Sequence, residues 1–106
     1  MDDCIFCKVI AGELPSTKAY EDKEIVVIKD IHSQAKVHWL VMPKTHVSEF
    51  IEADTKLTNR LMDVVGKVIR KEHIANYRIV ANGKGAAFVD HLHIHVMGGI
   101  EKMRRL

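Results

Sequence analysis

The segment His91-Leu92-His93-Ile94-His95-Val96 alternates an imidazole with an aliphatic side chain. On a β-strand, side chains two residues apart point the same way, with Cα atoms roughly 6.6–7 Å apart. This spacing puts three imidazoles on one face and Leu92, Ile94 and Val96 on the other, the core side. The strand then carries a chemically specialised outer surface. Two chemistries use such a row. A His-x-His pair holds a zinc ion from one side, although the outer two, about 13 Å apart along the strand, are awkward ligands for one ion. The alternative is phosphorus chemistry: neutral imidazole is a good nucleophile, leaves well when protonated, and as a cation stabilises phosphate charge. The spacing alone leaves both open.

A second cluster opens the chain. Cys4 and Cys7, separated by Ile5 and Phe6, offer half of a tetrahedral zinc set; histidines or acids must supply the rest, since no other cysteine exists. A redox pair is the poorer reading, because thioredoxin-like pairs follow a strand in a βαβ unit and nothing precedes this one. His32 and His73 fall in a loop and at a helix end. Seven histidines among 106 residues are the unusual part of the composition; the net charge is +2 and aromatic content 6%. That balance argues against a basic face for nucleic acid or anionic lipid, and against a stacking surface for single strands. The acidic start (Asp2, Asp3) and the shortness of the apolar runs argue against a signal peptide or membrane span. A soluble, cytoplasmic protein with reduced thiols is expected, with no nucleic-acid or membrane partner.

The elements that must position these residues follow from periodicity. Cys4–Ala11, closed by Gly12, reads as a short helix. Lys18–Glu21, Ile25–Ile28 and Val37–Met42 read as strands, the last stopped by Pro43. Asp54 is a plausible N-cap for a long helix to about His73, with Leu57, Leu61, Val64, Val65, Val68 and Ile69 at helical spacing. Tyr77–Ala81 and Phe88–Met97 complete the strands, separated by a tight loop from Asn82 to Gly85 and ended by Gly98-Gly99. Residues 1–106 then form one α+β domain: a five-stranded antiparallel sheet, one long helix packed on it and a short N-terminal helix.

His91-Leu92-His93-Ile94-His95-Val96-Met97 matches the His-φ-His-φ-His-φ-φ signature, φ apolar, of the histidine triad superfamily. The chain resembles the Hint-type branch of that family from Cys4 to Gly99, through CIFCKVIAGELPS, the KDI segment, HWLVMPKTH and HLHIHVMGG in the family's order. The resemblance implies the triad fold and a hydrolase or transferase acting on nucleoside monophosphate conjugates such as adenosine phosphoramidates. His93 would attack the α-phosphorus to form a nucleotidyl-histidine, which water releases as AMP. His95 would stabilise the phosphate oxygens. His91 would support His93, partly through its backbone carbonyl, and His38 would approach from a neighbouring strand.

The same resemblance assigns the nucleotide and the metal. Asp30 would accept the ribose hydroxyls, while Leu14, Ile28 and Ile31, with Phe6 and Val9 nearby, would form the apolar slot for a purine base. Asn82 would stand beside the phosphate, although Asn82-Gly83 is a turn signal in its own right. Backbone amides of Gly83, Lys84 and Gly85 would cradle it. Zinc would sit on Cys4, Cys7, His46 and His91, tying the N-terminus to the last strand. A homodimer pairing the long helix and an edge strand across a two-fold axis is also implied. Two departures stand out. Gly85-Ala86-Ala87-Phe88 replaces the family's polar Gly-Gln-Ser or Gly-Gln-Thr, and the chain stops at Leu106 without a tryptophan-containing tail. A lost hydrogen bond to a charged group is worth about 1.5–3 kcal/mol. A nucleotide-binding or scaffold protein with little turnover is therefore the second reading. A protein using the histidine row directly as a metal site is the third.

Overall fold

The structure, a computed structural model, describes residues 3–102, so Asp2 and the tail 103–106 lie outside the described residues. The first helix, α1 (Ile5–Ile10), is followed by strands β1 (Lys18–Glu21), β2 (Ile25–Lys29) and β3 (Val37–Pro43). A 3-10 turn at Phe50–Glu52 leads into the long helix α2 (Thr55–Lys71), and β4 (Arg78–Ala81) and β5 (Ile94–Gly98) complete one antiparallel sheet in the order β1-β2-β3-β5-β4. The expected α+β arrangement is therefore observed. Asp54 caps α2 as its sequence suggests, its carboxylate accepting the Leu57 N–H at 2.8 Å. The helix ends at Lys71 rather than His73: Glu72 is the C-cap and His73 turns into the left-handed region at φ 51°.

Strand alternation sorts the sheet into two faces. Ile25, Val27, Val41, Ile94 and Val96 pack against Leu61, Val64, Val65 and Val68 of α2. Val26, Ile28, Leu40 and Met42 point the other way and pack under Val9 of α1, with Phe6 and Ile10 at the margin. That second face also carries His38 on β3 and His95 on β5, where His95 lies opposite Leu40. The histidine face is thus covered by α1 rather than open to solvent: His91 is fully buried and His93 is 6% exposed.

The last strand is half as long as its alternation suggests. It was expected from Phe88, but pairing begins at Ile94 opposite Val41 and Ala81. Two residues further, the register would set Leu92 against Pro43, which has no N–H to give. The ladder stops there. Leu92 N–H turns instead to the Val47 carbonyl at 2.6 Å, while Leu92 still reaches the α2 core. His91 and His93 therefore sit in a buried irregular segment before the strand, and of the three only His95 is a strand residue.

Candidate functional site

Backbone groups decide where the proton sits on each triad ring. His93 Nδ1 is 2.7 Å from the His91 carbonyl, an acceptor only, so Nδ1 carries the hydrogen and donates. That leaves His93 Nε2 with its lone pair. His91 Nε2 is 2.7 Å from the Pro43 carbonyl and donates to it, so His91 Nδ1 is bare. On the neighbouring strand, the Gln34 N–H donates to His38 Nδ1 at 3.0 Å. His38 must then carry its proton on Nε2, which is 2.8 Å from His95 Nδ1. His95 accepts there, which leaves it one N–H, at Nε2. The site accordingly offers a bare nitrogen on His93 and an N–H donor on His95, with ring centroids 5.0 Å apart. Phe6 of α1 packs edge-on against His93, 4.9 Å between centroids.

Burial favours the neutral form of His38, His91 and His95. It pushes His95 down to about 4, helped by His93 and His38 and opposed by Asp30. Burial likewise lowers His38 against the pull of Asp30, and lowers His91 against its Pro43 bond. His95 is thus a neutral donor, not the cation that an exposed histidine row suggests.

The four residues expected to bind metal converge. His91 Nδ1 lies 3.5 Å from both Cys4 and Cys7 sulfurs, and His46 Nδ1 lies 3.3 Å from Cys7. All four donor atoms lie within 4.8 Å of one another. Tetrahedral bonds of about 2.0–2.3 Å require donor separations of roughly 3.3–3.8 Å, so the set can hold a metal ion. The Cys4 sulfur also caps α1, accepting the Cys7 N–H at 3.3 Å. Burial, together with Cys4, pushes the Cys7 thiol up to about 11. A redox pair needs a lowered thiol instead.

Asp30, His38 and His95 also bring three ligand atoms together, but the chemistry differs. A metal on His38 Nε2 would move that ring's proton to Nδ1, against the Gln34 N–H. Two donors would face each other. The arrangement disfavours metal there and favours a hydrogen-bond chain.

The expected nucleotide residues are only partly assembled. Phe6, Val9 and Ile28 share one apolar cluster, whereas Leu14 is 36% and Ile31 84% exposed and neither packs in it. Asp30 follows β2 beside His38, its Oδ2 being 3.4 Å from His38 Nε2. Its other oxygen accepts the His32 N–H at 2.8 Å. Asn82 is half-buried at the start of a loop whose Lys84 N–H is taken by the Glu49 carboxylate at 3.3 Å. One amide of the expected phosphate cradle is therefore occupied. Gly85 has φ 89°, a conformation that favours glycine. Phe88 is fully exposed. The groups that sequence reading missed are mostly backbone: the Gln34 N–H and the Pro43 carbonyl carry no residue-type signal.

A family model described as the HIT domain matches residues 11–102. The chain belongs to the HIT family. Cys4 and Cys7 precede the matched span; His46 and the triad lie within it. The chain is 38% identical to protein HitA of Neisseria gonorrhoeae over 104 residues, covering 92% of this chain and 97% of that protein. It is 37% identical to protein hit of Bacillus subtilis, covering 91% and 70%. Among solved structures, a HIT family hydrolase from Clostridium thermocellum superposes with a TM-score of 0.92 at 36% identity, covering 100% and 98% of the two chains. A histidine triad protein from Clostridium difficile reaches 0.90 at 32% identity, with 100% and 98% covered. Among the described residues, no helix is long and apolar enough to cross a membrane.

Proposed function

We propose that this HIT protein is a nucleotidyl hydrolase or transferase that cleaves conjugates of purine nucleoside monophosphates, of the AMP phosphoramidate type, at the α-phosphate. The observation that carries this reading is the pairing of a bare His93 Nε2 with a neutral N–H donor on His95. His93 Nε2 attacks the α-phosphorus, the bond to the leaving group breaks with its electron pair, and the leaving group takes up a proton from solvent, which the attacking water of the second step returns. His95 donates its Nε2–H to a phosphoryl oxygen. Water then attacks the nucleotidyl-histidine, the P–N bond to His93 breaks, and AMP leaves. The description of the C. thermocellum neighbour as a hydrolase agrees with this chemistry.

Asp30 accepts the ribose hydroxyls, a carboxylate being suited to a vicinal diol. Phe6 and Ile28 provide the packed floor of the base slot, which Leu14 and Ile31 complete on closing over a ligand. Asn82 and Gly85 frame the phosphate side. Cys4, Cys7, His46 and His91 hold zinc, which supplies a structural cross-link between α1 and the segment before β5. Thiols of this kind suit a reducing compartment such as the cytoplasm. A homodimer is proposed through β4, an edge strand, and the apolar groove beside α2, where Met62 and Ile79 are exposed.

A second reading, nucleotide binding with little turnover, is favoured by Ala86-Ala87-Phe88, which brings no polar side chain to the loop, and by the engaged Lys84 amide. Incubation with adenosine phosphoramidate separates the two. Release of AMP above a His93→Ala control supports the enzyme; binding without release supports the alternative.

A further inference from the structure

His38 places a single N–H between two acceptors. Because the Gln34 amide occupies Nδ1, the ring proton is on Nε2, 2.8 Å from His95 Nδ1 and 3.4 Å from Asp30 Oδ2. The shorter contact is a good hydrogen bond and the longer one a competing pull from a carboxylate. Asp30 is not free to swing away. Its Oδ1 accepts the His32 N–H, and its own N–H donates to the His38 carbonyl at 3.0 Å. Its side chain is nevertheless 17% exposed, so a ligand can reach it.

We propose that Asp30 is a positioning residue for His95 as well as a sugar ligand: a vicinal diol bound at Asp30 leaves the His38 Nε2–H to donate to His95 alone. The inference rests on Asp30 accepting the ribose hydroxyls, as given under Proposed function. Two hydroxyls donating to the carboxylate draw on the lone pairs and charge that attract His38 Nε2–H. The His38 Nε2–H, staying on His38, then points to His95 Nδ1 without a competitor, and His95 is held more firmly as a donor through Nε2. No proton changes owner; one hydrogen bond shortens as the electrostatic pull of the Asp30 carboxylate weakens. The sugar, remote from the reacting phosphorus, thereby orders a group that touches it. Binding energy of this kind appears in kcat as well as KM. A substrate lacking the diol leaves the His38 proton divided and loses on both counts.

The test uses the whole chain with 15N-labelled histidine and two nucleosides without phosphate, adenosine and 2′,3′-dideoxyadenosine. Both carry the same base and 5′-hydroxyl. Adenosine is expected to shift the His95 ring-nitrogen resonances at saturation, while dideoxyadenosine binds and leaves them at their free positions. In His38→Gln, adenosine is expected to bind with loss of the His95 response. An equal response to both nucleosides, a response that survives in His38→Gln, or none at saturating adenosine overturns the inference; the first and last need no variant. Failure of adenosine to bind at all overturns the ribose reading of Asp30, and the inference with it.

Discussion

Each imidazole of the site has its proton assigned by a group that residue type does not reveal. His93 and His91 are set by main-chain carbonyls, and His38 by the Gln34 N–H, which in turn sets His95. The identities of His38, His91, His93 and His95 were legible from spacing and resemblance, as were Cys4, Cys7 and His46. Their burial was not, because alternation alone cannot tell a solvent face from one covered by a short helix. Burial has a measurable consequence. His38 and His95 are held below the ordinary histidine value in the folded state, so the unfolded chain binds more protons once the pH drops below about 6.5. Stability is therefore full above that pH and falls as the pH is lowered toward 4. For His95, lowered to about 4, the loss is on the order of 3 kcal/mol. Thermal melts between pH 7 and 5 are expected to show a falling Tm, with a shallower slope in His95→Gln. A flat profile in the unmodified protein would contradict the buried, neutral histidines.

At the scale of elements, the helices and first four strands were readable from periodicity, caps and β-branching, within a residue or two at their ends. The last strand was not. Phe88–His93 has the alternation of a strand but no partner, because the β3 register ends at Pro43 and the chain there bonds through Leu92 to Val47. The proline was visible in the sequence, but its register against Leu92 was not. Another contact beyond sequence reading ties the β1–β2 turn to α2. Asp22 accepts from the Tyr20 hydroxyl at 2.7 Å, from the Glu24 and Ile25 amides at 2.8 Å, and from Arg60 of α2. Burial opposes its charge, but these donors outweigh it and hold the carboxyl well below the usual range. Asp22→Ala leaves several donors without their charged acceptor and is expected to cost about 1.5–3 kcal/mol in denaturant unfolding. A change within about 0.5 kcal/mol, the range of ordinary surface substitutions, would show that the turn is held by the strands alone.

For the whole molecule, the Cys4/Cys7/His46/His91 cluster joins the first helix to the segment carrying the triad. His91 belongs to both, its side chain in the Cys/His set and its carbonyl on His93. Stoichiometric zinc is expected in the purified chain, lost in Cys4→Ser and retained in His95→Ala. Chelation is expected to lower Tm, whereas retention of metal without Cys4 would move the site elsewhere. The proposed assembly is equally testable: sedimentation at micromolar concentration should give a dimer, weakened by a charge at exposed Met62 or Ile79. The proposed reaction passes through a covalently nucleotidylated His93. Brief reaction with adenosine phosphoramidate, an alkaline quench that preserves the P–N bond, and fragment mass spectrometry of the triad peptide address it directly. The expected result is one adenylyl group on His93, absent from His93→Ala. AMP release with no adduct on His93, or an adduct on another residue, would contradict it.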